Sequence, residues 1–136
     1  MKKLATLSAL VLLLTSASIF AEDTEKKVFF VSPKDGATVS QKFKVKFGVK
    51  GYKISPAGQA IEDPSSGHHH LIVDGGPINK GDVVPTDDNH IHFGKGQTDT
   101  KLFLKPGKHK LTMQFADGAH RSYGEAASAT ITVTVK

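Results

Sequence analysis

The chain has 136 residues, no cysteine, no tryptophan and a formal net charge of +5. Without cysteine it can form neither a disulfide nor a thiolate site, so its chemistry falls to seven histidines, the acids and the hydroxyls. Lys2 and Lys3 carry two of the eighteen basic residues, which leaves sixteen against thirteen acids in the rest, a modest +3 scattered along the chain with two tyrosines; nucleic acid is not an expected partner.

Lys2 and Lys3 precede an apolar run from Leu4 to Leu14, followed by the small, polar stretch Thr15-Ser16-Ala17-Ser18 and by Ile19-Phe20-Ala21. This is the layout of a secretory signal peptide, expected over residues 1–21 with cleavage after Ala21. The apolar run is too short to cross a bilayer core of about 30 Å, so no membrane span is expected after cleavage. Residues 22–136 are then expected to form a single periplasmic or secreted domain, a normal length for one hydrophobic core.

Alternation of period two runs through that domain. Val28–Val31 reads as a short first strand. Phe43, Val45, Phe47 and Val49 alternate with Lys42, Lys44, Lys46 and Lys50, giving a strand with one dry face and one lysine-rich wet face. His68–Val73 and His90–Phe93 are two more strands, and Leu102 and Leu104 mark another. Leu111, Met113 and Phe115, then Ile131, Val133 and Val135, supply the inward positions of the last two. Turn signals separate these runs at Pro33–Gly36, Asp74–Pro77, Lys105–Gly107 and Asp117-Gly118. The irregular stretch 54–67 is expected to be the mobile loop. About seven short strands with regular turns predict an all-β fold, an immunoglobulin-like antiparallel β-sandwich.

The histidines concentrate in Gly67-His68-His69-His70-Leu71, Asn89-His90-Ile91-His92-Phe93-Gly94 and Asp117-Gly118-Ala119-His120. On a strand, residues two apart share a face with Cα atoms roughly 6.6 Å apart. His68 and His70 therefore share one face and His90 and His92 another, while His69 points the opposite way with Leu71 and Val73. A lone His-x-His pair is more often surface decoration than a site, but two pairs and a fifth histidine after an aspartate in one small domain favour a metal site. The expected ligands are His68, His70, His90, His92 and His120. Imidazole donors without thiols, and with Met113 expected in the core, suit Zn(II) or Cu(II) better than Cu(I). Asp74, Asp87, Asp88 and Asp117 are candidates to orient a ligand ring through its second nitrogen. His109, beside Leu111 and Met113, reads as a packed or turn histidine.

The blocks Gly67–Asp74, His90–Thr98 and Pro106–Leu111 closely resemble the bacterial exported family catalogued as domain of unknown function 4399, from about Val31 to Val135. The resemblance implies the sandwich fold and draws attention to the same five histidines; it implies no activity. Three functions stay open: a divalent-metal binding module, a small oxidoreductase-like metalloenzyme with an open coordination position, and a metal-free envelope scaffolding or interaction domain whose lysine face meets envelope polymers or proteins.

Overall fold

The computed structural model describes residues 25–136. The expected signal peptide, residues 1–21, lies outside the described residues. Among those described, no helix is long and apolar enough to cross a membrane.

Among the described residues, nine strands and one short 3₁₀ turn build the fold: β1 (Lys27–Ser32), β2 (Thr38–Val39), β3 (Lys42–Lys50), β4 (Lys53–Ile54), β5 (Ser66–Val73), β6 (His90–His92), β7 (Asp99–Phe103), β8 (Gly107–Ala116), the turn Glu125–Ala127, and β9 (Ser128–Val135). The seven runs legible in the sequence are β1, β3 and β5–β9. The two others, β2 and β4, are two residues long and carry too little pattern to be seen.

Two sheets face each other across one core. The smaller has the order β1-β3-β7; the larger runs β2-β9-β8-β5-β4, with β6 pairing β5 along the same edge as β4. Most pairings are antiparallel, as expected for short connections. Two are parallel, β2 with β9 and β4 with β5. The first arises because the chain changes sheets at the Pro33–Gly36 turn, where the Asp35 carboxylate accepts the Thr132 amide at 2.8 Å and the Gly36 amide reaches the Thr132 carbonyl at 2.7 Å.

Alternation decides the core. Val45, Phe47, Leu111, Met113, Phe115, Ile131, Val133 and Val135 are buried between the sheets with Val28, Leu71, Val73, Phe93 and Leu102, and Phe43 and Val49 pack at its margin. Burying side chains of this size contributes about 1.5–3 kcal/mol each.

Strand β5 departs from the one-wet-face rule: all eight of its residues are buried. His69, Leu71 and Val73 face the core. Ser66, His68, His70 and Ile72 face outward, under a third layer made from the segments 75–89 and 117–124. The Gln114 side chain, projecting outward from the neighbouring β8, anchors that layer. Its Oε1 accepts the Ile78 amide at 2.9 Å and its Nε2 donates to the Gly124 carbonyl at 3.0 Å. The two segments also hold each other, with the Ser122 hydroxyl donating to the Ile78 carbonyl at 2.8 Å and the Val84 amide to the His120 carbonyl at 2.9 Å.

Candidate metal centre

Register assembles the histidines. Strand β6 pairs β5 so that His92 lies opposite His70 and His90 opposite Ile72; β8 carries the chain back along the other edge of β5 and delivers the turn Asp117–His120 beyond Ala116, which pairs with His68. The ring nitrogens of His68, His70, His92 and His120 come together, one from each residue, all within 4.8 Å of one another. His92 Nε2 lies 3.1 Å from His68 Nε2 and 3.0 Å from His120 Nε2. The His70 ring completes the group, its centroid 4.8 Å from that of His68 and 5.1 Å from that of His92.

Local backbone chemistry places the two loop-side rings. A Cβ on Gly94 would come within 2.2 Å of the His92 ring, so a glycine here gives that ring its room. His120 adopts φ of +66°, a left-handed conformation that costs a non-glycine residue on the order of 1 kcal/mol. The nearly buried Asp117 enforces it: Oδ1 accepts the amides of Ala119 and Arg121 at 2.8 and 2.9 Å, Oδ2 accepts Arg121 Nε at 2.7 Å, and the Asp117 carbonyl accepts the His120 amide at 2.9 Å.

The stretch expected to be a mobile loop is instead a brace. Its Ala57 amide donates to the Gly94 carbonyl at 2.9 Å and its Gly58 amide to the Gly118 carbonyl at 2.8 Å, tying together the segments that carry His92 and His120. Tyr123 pins its far end, the hydroxyl donating to the Ser66 carbonyl at 2.6 Å. Pro, Gly and Ser gave this stretch no periodicity, but its backbone bonds are made tertiarily.

The electrostatics favour neutral rings. Burial, reinforced by the neighbouring His120 and His92 rings, pushes His68 down to about 4. Burial and the other imidazoles push His70 down to about 3, and burial and His120 hold His92 below its ordinary value. Near neutral pH these rings present lone pairs, the form in which imidazole ligates metal. A ring nitrogen carries either one proton or one lone pair, so hydrogen bonding between neutral imidazoles satisfies at most one of the two contacts converging on His92 Nε2. A cation placed among the nitrogens satisfies all of them. Tetrahedral bonds of about 2.0–2.1 Å separate neighbouring nitrogens by about 3.3 Å, so the 3.0 and 3.1 Å contacts need to open by only a few tenths of an ångström.

The remaining histidines lie elsewhere. His90 is not in the group: its Nδ1 donates to Asp87 Oδ1 at 2.7 Å, and that bond holds the Asp87 carboxyl below the usual range. His69 is wedged between Phe47 and Phe115, ring centroids 4.8 and 5.1 Å away, and burial pushes it down to about 4. His109 is a turn histidine: Nδ1 donates to Asp74 Oδ2 and Nε2 to the Lys105 carbonyl, both at 2.9 Å, and the bond to Asp74 raises its pKa. Of the acids singled out in the sequence, Asp87 and Asp74 thus orient histidines outside the group, and Asp117 positions His120 through the backbone. The Nδ1 atoms of His68 and His70 are buried with no hydrogen-bond partner among the described residues, so the second-nitrogen acceptor common around metal-bound imidazoles is not seen for these two.

A family model described as a domain of unknown function, DUF4399, matches residues 45–136, which includes every histidine of the chain. The chain belongs to this family. Among solved structures, the endo-β-1,4-mannanase from Thermotoga petrophila shares the fold, with a TM-score of 0.52 at 17% identity over 85% of this chain. The chain spans only 21% of that protein, and the likeness is one of fold alone. No curated protein matches the sequence. Membership of the DUF4399 family places the four-histidine group within the matched region and leaves its role to chemistry.

Proposed function

We propose that this domain binds a single divalent transition ion, Zn(II) or Cu(II), through His68, His70, His92 and His120, and that it does so outside the cytoplasm after loss of residues 1–21. The observation that carries the reading is the convergence of three Nε2 atoms from β5, β6 and the turn after β8, with burial holding the His68 and His92 rings below their ordinary pKa. Four imidazoles can close a tetrahedral site, which favours holding or passing on an ion over catalysis, where a position stays open. His92 is exposed and His120 half-buried, so an ion would enter and leave on their side while His68 and His70 form the floor. Calorimetry with Zn(II) and Cu(II) on tag-free protein tests this. Expected is one ion per chain, with affinity lost as pH falls toward about 4, where the buried His68 ring takes up a proton that competes with the metal. Binding no tighter than roughly millimolar for both ions defeats the reading. Mass spectrometry of the exported protein, with a chain starting at Glu22 expected, tests the compartment.

A further inference from the structure

On the opposite side of the molecule, the outer face of the β1-β3-β7 sheet carries a ladder of positive charge. Lys42, Lys44, Lys46 and Lys50 follow one another along β3, with Lys27 of β1 opposite Lys50 and Lys101 of β7 opposite Lys44, and all six are exposed. Asp99, 3.2 Å from Lys44, is the one acid in these three strands. Lysines on exposed edge strands guard against strand pairing, but β3 is the middle strand of its sheet, so that explanation does not cover its four. Like charges directly opposite each other also destabilise a sheet, and here two such pairs, Lys27 with Lys50 and Lys44 with Lys101, are kept. Aromatic rings interrupt the ladder. Phe29 lies against β3 at Gly48, where a Cβ would meet its ring at 2.9 Å, and Phe103, 70% exposed, stands opposite Lys42.

We propose that this face binds a linear polysaccharide bearing carboxylates. The nine residues of β3 extend for about 30 Å, with Lys42, Lys44 and Lys46 roughly 6.6 Å apart on one face and Lys50 about 13 Å beyond Lys46, a track rather than a pocket. Lysines meet the carboxylates, and the Phe29 and Phe103 rings offer apolar faces to the C–H faces of sugar rings. Two aromatics at separate points of the track do not make the continuous stacking row that single-stranded nucleic acid uses. The charge is aligned along one strand rather than arranged around a broad apolar patch, as a bilayer surface would demand.

The test is binding of oligogalacturonate to the full exported domain. A neutral malto-oligosaccharide, phosphatidylglycerol vesicles and single-stranded DNA serve as competing probes. Expected is oligogalacturonate binding that weakens as salt is added, no binding of the neutral sugar, and weaker binding of vesicles and DNA. The double variant Lys44→Gln with Lys101→Gln, and separately Lys42→Gln with Lys46→Gln, should each weaken binding by about tenfold or more. The first should leave the melting temperature unchanged or raised, since it removes a facing like-charge pair. His92→Ala should bind the oligomer as the wild type does, so failure here and failure of the metal reading are separable. Absence of oligogalacturonate binding, binding by both lysine variants equal to that of the wild type, or tighter binding of vesicles or DNA overturns the proposal.

Discussion

Three consecutive histidines on β5 meet two different environments. His69 points into the sandwich between Phe47 and Phe115, with both ring nitrogens buried and unpartnered among the described residues. His68 and His70, one residue to either side, point outward into a group of imidazoles. The same residue type is a core-filling ring on one face and part of a polar cluster on the other. Strand alternation alone makes the division. The number of histidines in a run therefore says less about a site than their parity and what lies across the sheet.

The largest effects should come from the inner face. Phe115→Ala removes a fully buried ring that packs on His69, Tyr52 and Tyr123 and should cost about 3–5 kcal/mol in urea melts. A loss under about 1 kcal/mol would mean that the face is not the packed one.

The outer face should be the one that answers to metal. Losing even a group that supports a ligand commonly costs 10–100-fold in metal affinity. His92→Ala with His120→Ala should therefore weaken Zn(II) or Cu(II) binding by more than about a hundredfold, with little change in metal-free stability because His92 is exposed and His120 half-buried. Equal calorimetric titrations for variant and wild type would dissolve the distinction between the faces.

Acid should act on both faces in the same direction. His68, His69 and His70 have folded-state pKa values of about 4, 4 and 3, below their ordinary 6.5. The unfolded chain then takes up protons that the folded chain refuses, so their contribution is complete above pH 6.5 and is lost as pH falls from there toward 4, by at most about 1.4 kcal/mol per pH unit for each ring. Urea midpoints of the metal-free protein across this window should fall with pH; a flat profile contradicts the buried placement of the three rings. His109 should oppose the trend weakly: its raised value makes its contribution present below 6.5 and lost as pH rises through its folded pKa.

Smaller effects sharpen the comparison further. His69→Leu removes two buried nitrogens without partners and should leave stability equal or raise it by about 1 kcal/mol, flatten the acid profile and leave metal affinity within a few-fold. His90→Ala breaks only its bond to the exposed Asp87 and should change metal affinity least. A large loss of affinity in either variant would redraw the site.

The seven longer strands and the inward residues of β3, β8 and β9 were legible because burial on one side writes period two into the sequence. Parity likewise separated His69 from His68 and His70. Parity could not separate His90 from His92, which share a face; the pairing of His92 with His70 and of His90 with Ile72 sorts them, and register is a property of two strands together. The brace at 55–59 was illegible for a similar reason, since its partners at Gly94 and Gly118 are distant in sequence and its bonds are made by backbone rather than by recognisable side chains.

The converging nitrogens are drawn from positions 24 and 28 residues apart, on segments that meet only once β6 and the turn after β8 have docked on β5. A chain held unfolded while it is carried across a membrane keeps only the His68–His70 stretch close together and has no converging trio to offer. Whatever ion supply surrounds the ribosome would then leave little imprint. If the domain is exported and binds an ion as proposed, that ion would be chosen by the compartment in which the last strands close, through the order of folding rather than through a preference written into the ligands.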